Sequence, residues 1–323
     1  MSELAIEAIG LAKSYGKVRA VDGLDLRVPE GSLFGLIGPN GAGKTTTFSL
    51  LAGFLRPDGG EIRVRGRTLR PGVPRAGHLI ALPQDAQLPA GSSCIEALVI
   101  LGRLSGLDSR TATRRSEDAL LRLGLADLAR KRIGNLSHGQ RRRVAIAQTL
   151  LGEREVILLD EPTAGLDPIV AAELRTLVKG LSGERTIILS SHNLLEVEAI
   201  CDRAAIIARG KLVSSGTMDE LRRSTNIVRV LLVDVPADPA ALLAVVQKQS
   251  GVRQASFEPG DPKAMALMVD DAPGVGADAV VNEVLRALLL AGANIKSMER
   301  GQSLEQRFIE ETQAPKSAPD AHT

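Results

Sequence analysis

The sequence predicts an α/β protein: a mixed-sheet core with an antiparallel β subdomain and a helical insertion, followed by a small C-terminal α+β domain. Three observations carry this. Ser32-Leu33-Phe34-Gly35-Leu36-Ile37 is a short, largely apolar run that leads into a glycine-rich loop, the pattern of a parallel strand buried on both faces. The same texture returns at residues 156–159 and 186–189, with 168–181 reading as the crossover helix between them. After about Ser224 the pattern changes again, to short strands alternating with two helices.

In chain order, residues 5–12 and 18–28 alternate like strands around a turn at Ser14-Tyr15-Gly16-Lys17. The strand at 32–37 is followed by a helix over 44–55 that stops before the turn signal Pro57-Asp58-Gly59-Gly60. A strand at 78–82 precedes a stretch, 94–132, with helical apolar spacing and few β-branched residues, the core of an insertion at about 86–135. Short strands follow at 204–207 and 211–213, and Thr217-Met218-Asp219-Glu220 has the pattern of a capping box. Beyond Ser224, strands at 227–233, 252–257, 264–269 and 294–298 with helices at 239–249 and 277–291 give the order β-α-β-β-α-β, that of a ferredoxin-like sandwich. Residues 304–308 start a terminal helix. The expected division is a first domain at 1–224, an accessory domain at 225–311 and a disordered tail at 312–323.

Composition narrows the function classes. The chain has 323 residues, 44% hydrophobic and 24% charged, the balance of a globular protein of two domains. With no Trp and one Tyr, the core must be aliphatic. A net charge of +2 gives no strong case for a nucleic-acid partner, and none is expected. Cys94 and Cys201 lack paired spacing, which suggests reduced thiols in the cytoplasm. No signal peptide and no apolar run of membrane-spanning length is visible, so membrane work would need other chains.

The chemistry starts at Gly38-Pro39-Asn40-Gly41-Ala42-Gly43-Lys44-Thr45, a P-loop in the strand–loop–helix context such a match requires. Glycines let backbone N–H groups approach a triphosphate, and the helix N-terminus adds donors. Lys44 would reach the β- and γ-phosphates of ATP, the Thr45 hydroxyl would help hold Mg²⁺, and Thr46 joins the nucleotide contacts. Asp160-Glu161 ends the apolar strand at the edge where ligands bind in such sheets. Asp160 would serve the metal and Glu161 would be general base towards water. The run Arg141-Arg142-Arg143 reads as a solvated or domain-bridging helix face on a helix over 140–150.

With Leu136-Ser137-His138-Gly139-Gln140 added, the chain resembles the ATP-binding subunits of ABC transporters over roughly residues 6–224. Those five residues look like the ABC signature, with His138 where the family most often has Gly. The resemblance implies that Gln84 is the Q-loop glutamine contacting Mg²⁺ and water, and that Asp167 belongs to the D-loop. It also implies that His192 is the switch histidine at the γ-phosphate and that Tyr15 stacks on adenine. Ser137, Gly139 and Gln140 would bind the ATP held by a second ATPase subunit, paired head to tail. Glu161–Pro168, the extra C-terminal domain and the ending Ser303-Leu304-Glu305-Gln306-Arg307-Phe308 resemble the ABC-2 subgroup. That implies export, with integral membrane permease subunits as partners and a peripheral place on the inner face of the cell membrane. The rival is a soluble ABC ATPase acting on ribosomes or DNA. A single P-loop and the lack of a sustained heptad run speak against it.

Overall fold

The computed structural model describes residues 3–69, 79–153, 155–183, 185–223, 227–258, 261–269 and 277–300. The helix expected at 304–308 and the tail lie outside them. The chain divides into two compact units, Met1–Met218 and Asp219–Thr323.

The first unit opens with two long antiparallel strands, β1 (Leu4–Tyr15) and β2 (Val18–Pro29). The buried strand β3 (Leu33–Ile37) runs through the P-loop into helix α1 (Lys44–Ala52). This helix stops three residues earlier than its sequence pattern suggests. Gly53 takes a left-handed φ of 70° and turns its N–H back to Leu50 O, closing the helix. Two strands then follow, β4 (Gly59–Val64) and β5 (Arg67–Thr68). Gly59-Gly60 therefore opens a strand and does not merely form a turn. A β-bulge in β1 between Ile9 and Ala12 brings Gly10 O to 2.4 Å from where a Cβ on Gly60 would stand, so only glycine fits. The antiparallel sheet has the order β2-β1-β4-β5.

The second sheet of this unit carries the chemistry. It is built from β3, β6 (Leu79–Leu82), β7 (Val156–Asp160), β8 (Thr186–Ser191), β9 (Arg203–Ala208) and β10 (Lys211–Thr217), in the order β10-β9-β3-β8-β7-β6. All neighbours are parallel except the edge pair β9/β10. Every residue of β3, β7 and β8 is buried, which is why these stretches lack alternation. Phe34 and Leu36, Phe48 and Leu51 of α1, and Leu11 and Leu26 share one core between the two sheets. Each such aromatic or aliphatic side chain contributes about 1.5–3 kcal/mol when fully buried.

Between β6 and β7 lie α2 (Cys94–Leu104), α3 (Ser109–Arg122) and α4 (His138–Ala147). Ser93 and Glu96 form a capping box that fixes the start of α2. Helix α5 (Pro168–Lys179) connects β7 to β8, and α6 (Leu194–Ile200) connects β8 to β9. Gly35 lets α6 lie close on β3, since a Cβ there would meet Val197 Cγ1 at 2.3 Å. Helix α7 (Met218–Arg223) spans the division between the units.

The second unit contains β11 (Ile227–Leu232), α8 (Pro239–Gln247), β12 (Val252–Glu258), β13 (Asp261–Val269), α9 (Ala277–Leu290) and β14 (Ile295–Arg300). Its sheet order is β12-β13-β11-β14, with every neighbour antiparallel. Val228, Val230 and Leu232 alternate onto one face, which packs against Val246 of α8 and Val284 and Leu288 of α9.

Among the described residues no helix is long and apolar enough to cross a membrane.

Candidate active site

The carboxyl ends of β3, β7 and β8 meet at one edge of the mixed sheet. Loop 38–43 leaves β3 there, and its conformation demands its glycines. Gly41 and Gly43 have φ of 79° and 102°. At Gly38 a Cβ would lie 2.5 Å from Ile207 O, and at Gly43 it would lie 2.3 Å from Ala20 O. Pro39 and Asn40 form the outer turn, which Ala42 N closes by donating to Pro39 O at 3.1 Å. Thr45 is exposed on the first turn of α1 and Thr46 is half-buried.

Lys44 is only 6% exposed. Its Nζ donates to Gly38 O at 2.7 Å and Pro39 O at 3.2 Å, and stands 3.8 Å from Glu161 Oε1. Burial pulls its pKa down, and the charges of Glu161 and Asp160 oppose the fall.

Register explains the placement of the two acids. Asp160 pairs with Ser190 across β7 and β8. Ser190 Oγ donates to Asp160 Oδ1 and accepts from Glu161 N at 3.0 Å. Asp160 is 2% exposed, and desolvation raises its pKa against the opposing effects of Ser190, Lys44 and Arg142. Glu161 has φ of 44°, the left-handed region that a non-glycine residue rarely visits. Such a conformation costs on the order of 1–3 kcal/mol and persists only where its surroundings enforce it. The result is a turn that aims the carboxylate back over the P-loop. His192, whose side chain is 54% exposed, holds Glu161 Oε2 through Nδ1 at 2.8 Å. The Glu161 carboxylate therefore lies between the Lys44 ammonium and the His192 ring.

Gln84 is exposed just past β6. A cleft of about 970 Å³ is lined by Thr45, Gln84 and Asp160 together with His138, Arg141 and Arg142. Three oxygen donors, a hydroxyl, an amide carbonyl and a carboxylate, thus open on one space. Among the described residues no cluster of three or more His, Cys, Asp or Glu could hold a metal by itself. One carboxylate supplemented by neutral oxygens and substrate phosphates is a donor set that suits Mg²⁺. Tyr15 stands half-exposed at the end of β1.

The signature segment has a different character. Ser137 caps α4: its Oγ accepts from Gln140 N at 3.2 Å, and its N–H donates to Gln140 Oε1 at 3.1 Å. Gly139 is buried against α5, where a Cβ would meet Val170 Cγ1 at 2.4 Å. Within the chain, glycine is thus required for helix packing. His138 Nε2 lies 3.8 Å from the Cβ position of Gly165, so it packs towards the turn before α5. Asp167 caps α5 by accepting from Val170 N at 3.0 Å.

One reading of the sequence needs correction. Arg141-Arg142-Arg143 is not a solvated face throughout. Arg142 is 7% exposed and is bonded on every side to backbone carbonyls. Arg143 pairs with Glu173, and only Arg141 is exposed. The helix begins at His138, two residues earlier than expected, and Arg142 lies one turn before Ile146 on a buried face. Glu196 is also absent from the sequence reading. It is buried on α6, where it accepts from Ser191 Oγ at 2.7 Å and from Thr163 Oγ1, and so ties the segment before His192 to the turn after Glu161. Two serines ending an otherwise apolar strand were the available signal for Ser190 and Ser191. Nothing in the sequence singles out Arg142.

The fold and this edge define a P-loop ATPase with an inserted helical arm. The ABC transporter family profile matches residues 21–164. The daunorubicin/doxorubicin resistance ATP-binding protein DrrA of Streptomyces peucetius is 36% identical over 96% of this chain and 93% of its own length. DrrA3 of Streptomyces coeruleorubidus, a daunorubicin resistance ATP-binding protein, is 40% identical over 72% of the chain and 74% of its own length. The structure of cbiO1 from Clostridium perfringens, part of the ABC transporter complex cbiONQ, superposes with a TM-score of 0.61 at 28% identity, covering 68% of this chain and 91% of that one. The chain belongs to the ABC transporter ATP-binding family. Within it, the chain falls in the ABC-2 export subgroup and is an ATPase.

Proposed function

We propose that this chain is the motor of an exporter of amphipathic, drug-like compounds. It would work on the inner face of the membrane as one of two ATPase subunits beneath integral membrane permeases. The carrying observation is the extent of the likeness to the Streptomyces peucetius drug-resistance protein, which spans both units and not the ATPase unit alone.

The site supports hydrolysis at the γ-phosphate. Lys44 would exchange its bonds to Gly38 O and Pro39 O for phosphate oxygens. Glu161, oriented by His192 Nδ1, would take a proton from water as the water oxygen attacks the γ-phosphorus, while the bond from that phosphorus to the β–γ bridging oxygen breaks and ADP leaves with the oxygen. With Nδ1 engaged, His192 presents Nε2 to the transferring group. Thr45, Gln84 and Asp160 would hold Mg²⁺, which supplies charge neutralisation at the phosphates. Ser137, Gly139 and Gln140 would meet the ATP of the second subunit, with Asp167 beside that interface. In their support, the side-chain hydrogen bonds described for Ser137 and Gln140 stay within the cap of α4 and do not reach the loop at 38–45.

The test is purification of the tagged chain from detergent-solubilised native membranes. An integral membrane protein should co-purify, and ATPase activity of the complex should rise with an amphipathic drug. Ribosomal particles or DNA in its place would overturn the transporter assignment.

A further inference from the structure

The buried Arg142 guanidinium has a function that the hydrolysis scheme above leaves unassigned. Arginine carries five N–H donors in a fixed planar fork. Here Nε donates to Pro162 O at 3.0 Å, Nη1 to Pro83 O at 3.2 Å and Gln84 O at 3.0 Å, and Nη2 to Asp160 O at 2.8 Å and Glu161 O at 3.3 Å. The acceptors are backbone oxygens of two segments that leave adjacent parallel strands, since Leu82 pairs with Leu159 across β6 and β7. Asp160 ends β7, the other four acceptors lie just past the strand ends, and the fork gathers all five.

None of these bonds goes to a carboxylate. Burial lowers the Arg142 pKa, while the charges of Asp160 and Asp85 act at a distance to hold the proton. A cation buried against neutral carbonyls is a costly arrangement to keep for packing alone. What it joins is specific. One segment carries Gln84 and the other carries Asp160 and the left-handed Glu161. The fork itself belongs to α4, one turn beyond Ser137.

We infer that Arg142 is a positioning residue, a clamp that sets the Gln84 segment and the Asp160–Glu161 turn against each other and ties both to the signature helix. The inference rests on the roles proposed above for Gln84 and Glu161. Arg142 touches no reacting atom in this scheme; it fixes the backbone from which those side chains project. Lysine, with three donors on one nitrogen, cannot span the two segments.

Three measurements test it. In Arg142→Lys, kcat should fall by about tenfold to a hundredfold, the scale expected when reacting groups shift by about an ångström. The dissociation constant for ATP should change by less than about threefold, because the P-loop is untouched. In a Gln84→Ala background, Arg142→Lys should cost far less than it does alone, since part of its effect passes through Gln84. In the unmodified, nucleotide-free protein, nitrogen-15 NMR should show resolved, slowly exchanging Arg142 Nη–H signals with hindered rotation about Cζ–Nη, a readout that needs no variant. Wild-type kcat in a folded Arg142→Lys protein, losses that multiply with Gln84→Ala, or a freely rotating guanidinium would each overturn it. Glu161→Gln serves as the control. If that variant still hydrolyses ATP normally, the site reading itself fails, whereas a dead Glu161→Gln with a fully active Arg142→Lys defeats only the clamp.

Discussion

The edge holding Lys44, Asp160, Glu161 and His192 and the segment holding Ser137, Gly139 and Gln140 differ in how much of their chemistry is already in place. The first is largely buried, charged and cross-linked: a lysine 6% exposed, a glutamate held at φ of 44°, and the Ser190 hydroxyl of β8 bonded to the Asp160 carboxylate of β7. The second is a helix start whose side chains satisfy one another and whose glycine is wedged against α5. Pre-organised electrostatics is expensive to build, so it is worth concentrating where charge develops in the reaction. A helix N-terminus needs little preparation to receive an anion, because its free N–H groups and dipole already point outward. On the proposed reading, one region is a half-site with its charges in place and the other is a docking end.

The largest test of this contrast is at Glu161. Glu161→Gln keeps the volume and can still bond His192, yet cannot accept a proton from water. The expected loss is about 10²–10⁴-fold in kcat with ATP binding retained. If the signature segment of a second copy completes the site, this variant should also form a stable ATP-bound dimer, visible by size-exclusion chromatography with light scattering. A monomer with bound ATP would break the contrast, because the docking end would then have nothing to dock on.

Next in size is Gly139→Ala. A methyl placed 2.4 Å from Val170 Cγ1 must displace α4 or α5. The cost should be about 1–3 kcal/mol of stability. Val170→Ala should restore most of the melting temperature in the double variant. Restored stability without restored ATPase activity would show that Gly139 also serves the partner's nucleotide. Recovery of both would reduce its role to packing.

Ser137→Ala should have a smaller effect on stability. Removing the cap of α4 costs about 1 kcal/mol, read by chemical denaturation of the nucleotide-free protein. Dimerisation of the Glu161→Gln background should weaken by more than this stability loss explains, since the same hydroxyl is proposed to meet the second ATP.

These two regions were also unequally legible in the sequence. The P-loop and Asp160-Glu161 could be read because strand, loop and helix are contiguous, and glycine at φ near 80–100° has no substitute. The strands β3, β7 and β8 announced themselves by unbroken apolar runs. Strand β4 did not, because its leading Gly59-Gly60 looks like a turn until the bulge at Gly10 in β1 is known. Arg142 was hidden for a related reason. Three arginines in a row look solvated, and only the carbonyls of Gln84, Asp160 and Pro162, distant in the chain, show which of them turns inward. The left-handed backbone of Glu161 follows from contacts with Ser190 and Arg142, which are distant in the chain, and no local pattern encodes it.

The smallest expected effect concerns the charge stored in the half-site. Burial raises the pKa of Asp160 above its ordinary value, so the folded chain holds that proton more tightly than the unfolded one. Stability from this group is then highest below the ordinary carboxylate value of about 3.9 and falls as pH rises through the raised folded value. Above that raised value the ionised carboxylate is a net cost to the nucleotide-free fold. Asp160→Asn keeps the acceptor for Ser190 Oγ and removes the charge. It should raise the melting temperature of the nucleotide-free protein slightly at pH 7 in the presence of a metal chelator, and the gain should shrink as pH falls towards the carboxylate range. The same variant should lose the stabilisation that ATP with Mg²⁺ gives the wild type. A lower melting temperature at pH 7 would mean that the attraction of Lys44 and Arg142 for Asp160 outweighs its desolvation, and the edge would then be a stabilising cluster that needs no ligand to offset it.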